Sequence, residues 1–403
     1  MTARFPDDTP LTEAVLGAAR ELSERDALPA YVYDLGHLDA HLAAIRAACP
    51  EIEVLHAIKA NPEPALLAVI ARHVDGLEVA SGGELAHVRS HLPDMPLAFG
   101  GPGKTDAELA AALGADVRRY HVESLHELRR LDALARARGR VAPVLLRVNL
   151  PAAPASGTAL TMGGLPSPFG MDPTEADTAA GELSGLSGVR FLGIHAHLAS
   201  GLDSADCAAV AETILGWANR YARRHKLEML EVNVGGGMAV DYRYPGQVFD
   251  WADYGRRMAN LTRAHAPLTV RIEPGRAVSA YSGWYATRVL DLKRSHGEWF
   301  AVCAGGTHHL RTPAAKGHDQ PFAVLPSSQW ANSWPRQTVT KEAVTLVGQL
   351  CTPKDVLARS VPVPHLSVGD VVLFAMSGAY AYNISHHGFL MHPTPTVVFV
   401  PSS

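Results

Sequence analysis

The sequence predicts a closed parallel (β/α)8 barrel followed by a separate all-β domain. Two observations carry this. Short β-branched and apolar runs alternate with longer amphipathic runs between 54 and 273, and the alternation stops after Gly275. A third observation weighs against the alternative, an open doubly wound sheet: no GxGxxG follows the first predicted strand.

The eight predicted barrel strands are 54–58, 77–80, 97–99, 119–122, 144–148, 191–197, 230–234 and 268–273. Helical patterns fill the gaps at 65–73, 84–91, 106–113, 124–137, 174–183, 204–225 and 251–265. Beyond Gly275 come short strands bounded by turn residues, at 286–292, 299–304, 322–325, 344–348, 371–375 and 396–400. The run 30–33 lies ahead of the barrel and can pair with them. The chain therefore divides into an N-terminal segment 1–35 packing with the β domain, a barrel 36–276, and a β domain 277–403 that contributes to the active site. The stretch 151–168 is rich in Pro, Gly, Ala and Ser, and reads as a long functional loop after the fifth strand.

Composition bounds the chemistry. A chain of 403 residues, 47% hydrophobic and 19% charged, buries a large core and is not disordered. With 36 Lys plus Arg against 40 Asp plus Glu, the net charge of -4 argues against nucleic acid as the partner. Cys49, Cys207, Cys303 and Cys351 form no CxxC pair, which disfavours a zinc ribbon or a disulfide framework and fits a reducing cytoplasm. No long apolar run marks a membrane span, and the first residues lack the apolar core of a signal peptide.

In a barrel of this kind, chemistry sits at the C-terminal ends of the strands. Lys59 ends the first strand, ahead of Pro62 and Pro64. It is either a solvated loop lysine or an amine able to form a Schiff base with a carbonyl or with pyridoxal phosphate. His195 and His197, two apart on a strand, share one face. They are either a buried core pair or place an imidazole at the barrel mouth. There it could stack on an aromatic cofactor ring or ligate a metal, although no carboxylate accompanies them. Gly235, Gly236 and Gly237 directly follow the seventh strand and form either a tight turn or an anion cradle. Glu273 ends the eighth strand. It either bridges to Arg147 or Arg271, or holds a proton on a pyridine nitrogen. Cys351 and Tyr380, taken singly, carry little.

Taken in order, AIKAN (57–61), GLEVASGGEL (76–85), HAHLASG (195–201), VGGG (234–237), EPGR (273–276), Cys351 and GAY (378–380) resemble the fold-type III pyridoxal-phosphate-dependent decarboxylases. That family includes the diaminopimelate, ornithine and arginine decarboxylases. The resemblance covers nearly the whole chain and implies roles. Lys59 would carry the cofactor, His197 would stack on its ring, and Glu273 would pair with the ring nitrogen. Ser200, Gly235, Gly236, Gly237, Arg276 and Tyr380 would hold the phosphate, with Gly275 and Arg147 in the same cofactor-binding set. Cys351 would come from the neighbouring subunit of a homodimer as an acid near the substrate. No metal is expected. Relatives usually carry Asp where this chain has Glu78, so the longer arm leaves its cofactor role open. A racemase on a similar barrel typically faces the ring nitrogen with arginine, so Glu273 favours decarboxylation.

The resemblance implies an amino-acid substrate. Diaminopimelate and ornithine enzymes typically place an acidic residue directly after the cysteine, to meet a distal amine. Here Thr352 follows, and the nearest carboxylate is Asp355. Burying a bare ammonium there is costly. His308 and Arg311 in GGTHHLR (305–311), with LCTPKDVLAR (350–359) and ISHHGF (384–389), resemble decarboxylases of citrate-based siderophore pathways. Those act on 2,3-diaminopropionate amide-linked to citrate, and Arg forks suit its carboxylates. In each His-His pair, at most one ring is expected to enter a site. His308, Arg311, Thr352 and Asp355 are the expected substrate residues. The alternatives are meso-diaminopimelate, another free or carrier-bound amino acid, or a non-catalytic cofactor-binding protein.

Overall fold

The computed structural model describes residues 11–151, 160–161 and 164–401. The chain divides into two compact units.

His41–Ala239 and Phe249–Val278 form the first unit. Eight parallel strands close into a barrel in chain order: Glu53–Ala57, Gly76–Val79, Leu97–Phe99, Arg119–Val122, Ala142–Arg147, Val189–His195, Glu231–Asn233 and Thr269–Ile272. The fold class read from the sequence is therefore present, and two strands, Leu97–Phe99 and Arg119–Val122, have the expected ends. Other predicted strands stop early where chemistry begins. Ile58 leaves the first strand for a short 3-10 turn, Ile58–Ala60, and the sixth strand ends at His195. His195 and His197 are thus not on one strand face. Gly193 marks a point of close approach: a Cβ there would collide with the Glu231 carbonyl oxygen on the next strand.

Helix starts follow local rules. Ser81, Thr105, Ser124, Asp172, Asp203 and Asp250 each cap a helix by accepting a backbone N–H. Thr105 and Glu108 form a full capping box. At the strand N-termini, Arg119 donates to Glu231 at 2.8 Å and Arg271 to Glu53 at 2.6 Å, while Arg271 also pairs with Glu231. This ion network spans the barrel's closing strands at the end away from Lys59 and Glu273. Of the loop expected over 151–168, residues 152–159 and 162–163 lie outside the described residues.

Met1–Ala40, Val240–Val248 and Ser279–Ser403 form the second unit. Residues 1–10 of the expected N-terminal segment lie outside the described residues. Its sheet is organised by one long strand, Gly283–Ser295. The first half pairs with Ala30–Asp34 and with Val371–Phe374; the second half pairs with Glu298–Cys303. Ala30–Asp34 also runs parallel to Thr396–Val400, so the run before the barrel joins the β sheet. A helix, Glu13–Glu24, packs Val15, Leu16 and Ala19 into a core with Trp284, Leu373 and Tyr242. Tyr242 lies in 240–248, a stretch the sequence reading left in the barrel; its apolar side chain belongs with this core. The longest strand outside the predicted set lies in this sheet. Val356–Ser367 carries Pro362 and Pro364, which break the strand signature, and it is tolerated because it is an edge strand pairing only with Thr338–Val347 among the described residues.

Candidate active site

The barrel strands deliver a set of side chains to one end of the first unit. Lys59 is half-exposed in the turn after the first strand, and its Nζ donates to Glu78 Oε2 at 2.7 Å. Glu78, on the second strand, is 4% exposed. Its longer arm is accommodated by Gly100, where a Cβ would lie 2.7 Å from Glu78 Oε1. The acid that departs from the family pattern therefore has a clear local position beside the amine.

The glycine turn ties two strand ends together. Gly235 has φ of +74° and Gly237 +105°, both in the left-handed region. A Cβ on Gly235 would sit 2.6 Å from His197 Nδ1. One on Gly236 would collide with the Glu273 carbonyl oxygen, and one on Gly237 with that of Ala199. In their absence the Gly236 N–H donates to His197 Nδ1 at 3.1 Å, and the Glu273 N–H donates to the Gly235 carbonyl at 2.8 Å. His197 Nε2 lies 3.4 Å from Ser200 Oγ. Burial, then the positive charges of Arg147 and Lys59, lower the His197 imidazole to about 3, so it is neutral at physiological pH.

Glu273 stands just beyond the eighth strand, and no arginine among the described residues forms an ion pair with it. Asn233 Nδ2 donates to its Oε1 at 2.7 Å, His121 Nδ1 is 3.6 Å from that oxygen, and His195 Nε2 is 3.4 Å from Oε2. The bridging alternative for Glu273 is thus not realised. Arg271 is at the far end of the barrel, and Arg147 donates to Glu123 Oε1 at 2.5 Å. Glu123, missed from sequence, directly follows the fourth strand as Glu273 follows the eighth, which was the available signal. Its other oxygen accepts the Gly170 N–H at 2.8 Å. Arg147 also lies 5.0 Å over the Phe169 ring. Gly275 and Arg276 follow Glu273, with Arg276 opening the short helix Arg276–Ser279.

An amine, a carboxylate and a Cβ-free turn at one barrel end fit pyridoxal phosphate. The glycine cradle has no room for side chains but leaves backbone within reach of an anion, and Glu273 is met by neutral groups rather than by a cation.

The second unit holds the other candidates. Cys351 is exposed, and Tyr380, at φ +49°, accepts the Thr312 hydroxyl on its carbonyl at 2.6 Å. A cleft of about 820 Å³ is lined by Arg311, Thr352, Lys354, Arg359, Thr307 and His386, among others. Asp355 does not line it. Its carboxylate is buried and accepts the Thr307 N–H at 2.6 Å and the Leu350 N–H at 2.8 Å, packed against Gly306 and Gly348. The substrate role expected of Asp355 gives way to closing this loop. His308 is fully buried beside His309 and His392, and burial with the neighbouring histidines lowers it to about 4. It too is absent from the cleft wall. His309 is held by Tyr285 and the Pro393 carbonyl, so neither ring of that pair enters the cleft; of the other pair, His386 lines it and His387 stacks on Tyr382. Lys354 and Arg359 were missed because nothing in the sequence shows that they share a wall with Arg311.

Residues 35–280 match the family model for the pyridoxal-dependent decarboxylase, pyridoxal binding domain. The chain is 38% identical to the 2-[(L-alanin-3-ylcarbamoyl)methyl]-2-hydroxybutanedioate decarboxylase of Staphylococcus aureus, over 92% of this chain and 93% of the relative. It is 32% identical to the L-glutamyl-[BtrI acyl-carrier protein] decarboxylase of Niallia circulans, over 93% and 89%. In fold it resembles the crystal structure of Helicobacter pylori diaminopimelate decarboxylase complexed with L-lysine. There the TM-score is 0.84 at 22% identity, covering 95% of this chain and 94% of that one.

Lys59→Ala removes the amine that sits next to Glu78 at the barrel mouth and is expected to abolish borohydride fixation of the cofactor to the protein. Peptide mapping by mass spectrometry checks this; cofactor fixed at another lysine in the wild-type protein would refute the assignment.

Proposed function

The chain belongs to the pyridoxal-dependent decarboxylases, and on that premise we propose that it removes the α-carboxylate of a 2,3-diaminopropionate amide-linked to citrate, in siderophore biosynthesis. The observation that carries the substrate is the cleft of the second unit. Arg311, Lys354 and Arg359 line it, and among the described residues none of the three forms an ion pair. Against them stands one carboxylate on the cleft wall, Asp319, whose Oδ1 accepts the Arg359 backbone N–H. A distal ammonium would meet unbalanced positive charge; each pair of unit charges about 4 Å apart contributes ~1 kcal/mol even in water-like surroundings. The carboxylates of a citryl group meet the same charge favourably. The relative from S. aureus supports this reading, because its name describes that citrate-linked amino acid.

Pyridoxal phosphate, when bound, supplies the electron sink that accepts the pair left by departing CO2. The residues do the rest. Lys59 Nζ would hold the cofactor, with Glu78 keeping that amine in place. His197, neutral, would lie against the cofactor ring, and Glu273 would keep a proton on the ring nitrogen. Ser200, Gly235, Gly236, Gly237, Arg276 and Tyr380 would hold the phosphate, with Gly275 and Arg147 in the same cofactor-binding set, Arg147 fixed by Glu123. In a homodimer, Cys351 of the second copy's β domain would supply the proton to the carbon that lost CO2. Four free cysteines, three of them buried, support a reducing cytoplasmic setting. No helix among the described residues is long and apolar enough to cross a membrane.

Arg311→Ala and Arg359→Ala are each expected to raise KM for the citryl substrate about tenfold while changing kcat by less than about threefold. Steady-state kinetics check this, and an unchanged KM would remove the residue from substrate recognition. Mixing Lys59→Ala with Cys351→Ala protein is expected to restore up to about a quarter of wild-type activity, the share of intact sites in randomly paired dimers. No recovery after demonstrated subunit exchange would refute the shared site.

A further inference from the structure

Behind Glu273 lie two histidines that the assigned roles do not use. His121 lies near the end of the fourth strand and His195 ends the sixth; they are 0% and 3% exposed. Their rings stack at 4.2 Å with 24° between planes. None of the four ring nitrogens has a hydrogen-bond partner among the described residues. Leaving a buried polar atom unpaired costs about 1–3 kcal/mol each, so an apolar pair of similar shape would fill this space at less cost. The nitrogens that approach a polar group approach Glu273: His121 Nδ1 at 3.6 Å from Oε1 and His195 Nε2 at 3.4 Å from Oε2. A shift of roughly half an ångström brings each to ordinary N–H···O length.

We propose that His121 and His195 are positioning residues that hold the Glu273 carboxylate, through neutral N–H donors, in the orientation that keeps the cofactor's ring nitrogen protonated. The inference deepens the role given above to Glu273 and rests on it. Both rings face a crowded electrostatic setting, with Arg147, Lys59, Lys104 and His197 as the charged or titratable neighbours beside Glu273. Burial and those cations hold both imidazoles well below their ordinary range, hence neutral. Neutrality is what the task requires. A cation beside Glu273 would compete for its negative charge, whereas a neutral donor fixes the carboxylate and leaves that charge for the ring proton. Asn233, donating to Oε1 at 2.7 Å, is a third uncharged group in the same arrangement.

His121, His195 and Glu273 also bring one ligand atom each within 4.8 Å of one another, as a metal site would. Stacked rings aim their in-plane lone pairs side by side rather than at one centre, so the geometry favours two donors over two ligands.

The test is the 15N resonance of ring-labelled pyridoxal phosphate in the holoenzyme, read at fixed pH for wild type, His121→Phe, His195→Phe and Glu273→Gln. Phe keeps the stack and removes the donors. The expected result is a shift toward the unprotonated nitrogen in both Phe variants, with kcat down about tenfold and KM changed less than about twofold. His195→Gln, which keeps a donor, should restore most of the wild-type resonance. A wild-type resonance in both Phe variants overturns the inference. Should a Phe variant fail to take up cofactor, His195→Leu and His195→Gln are compared: displacement only in Leu supports the inference, and equal resonances overturn it. A shift in Glu273→Gln alone leaves the Glu273 role standing and removes only the histidines. A wild-type resonance in Glu273→Gln removes the role itself. Stoichiometric zinc in the purified wild-type protein, lost in His121→Phe, would replace the donor account with a metal site.

Discussion

Three residues without side chains let the barrel mouth close on itself. Gly235 brings the backbone after the seventh strand against His197, Gly236 against Glu273 and Gly237 against Ala199, at distances no Cβ tolerates. Two hydrogen bonds exploit this: Gly236 N–H to His197 Nδ1, and Glu273 N–H to the Gly235 carbonyl. The group proposed to lie on the cofactor ring and the group proposed to hold its nitrogen are therefore placed by the same turn. The Gly235 and Gly236 N–H groups are spent on Asn233 Oδ1 and His197 Nδ1, so what the turn offers an anion is close approach without a Cβ in the way. Any side chain on Gly236 would separate functions that the fold keeps together.

Charge is distributed with equal consequence. Arginines and carboxylates pair at the strand N-termini, where Arg119 and Arg271 meet Glu53 and Glu231. At the C-terminal ends, Arg147 is taken by Glu123 and Lys59 by Glu78. Glu273 is left with Asn233 and two neutral histidines. An arginine on Glu273 would keep the carboxylate ionised but compensate the negative charge that the proposed role reserves for the ring proton. In the second unit the pattern reverses: Arg311, Lys354 and Arg359 face a cleft without ion-pair partners among the described residues, ready for an anionic ligand.

Much of this was legible in the sequence because it rests on local signals. Short apolar runs, most of them with β-branched residues, marked all eight barrel strands, and the glycines and Glu273 were conspicuous at strand ends. The losses have physical causes. Pro362 and Pro364 hid Val356–Ser367, since an edge strand can spare the N–H groups that proline lacks. The helix Glu13–Glu24 gains its stability by packing on Trp284 and Leu373, contacts far away in sequence. Asp355 invited a substrate role through its nearness to Cys351, but its oxygens are spent on the Thr307 and Leu350 N–H groups. Glu123 and the stacked His121 and His195 became meaningful only once the barrel closed and brought separate strands together. The cleft wall joins 307–319 with 352–359 and 386–389, a juxtaposition no spacing rule supplies.

The central claim is that this barrel decarboxylates an amino acid whose far end is polyanionic. The most direct measurement offers cofactor-loaded protein an equimolar mixture of citryl-diaminopropionate and meso-diaminopimelate and follows both by mass spectrometry. The account predicts loss of CO2 from the citryl compound with diaminopimelate left intact. Loss from diaminopimelate alone would contradict it, and would mean that the cationic cleft does not select the substrate.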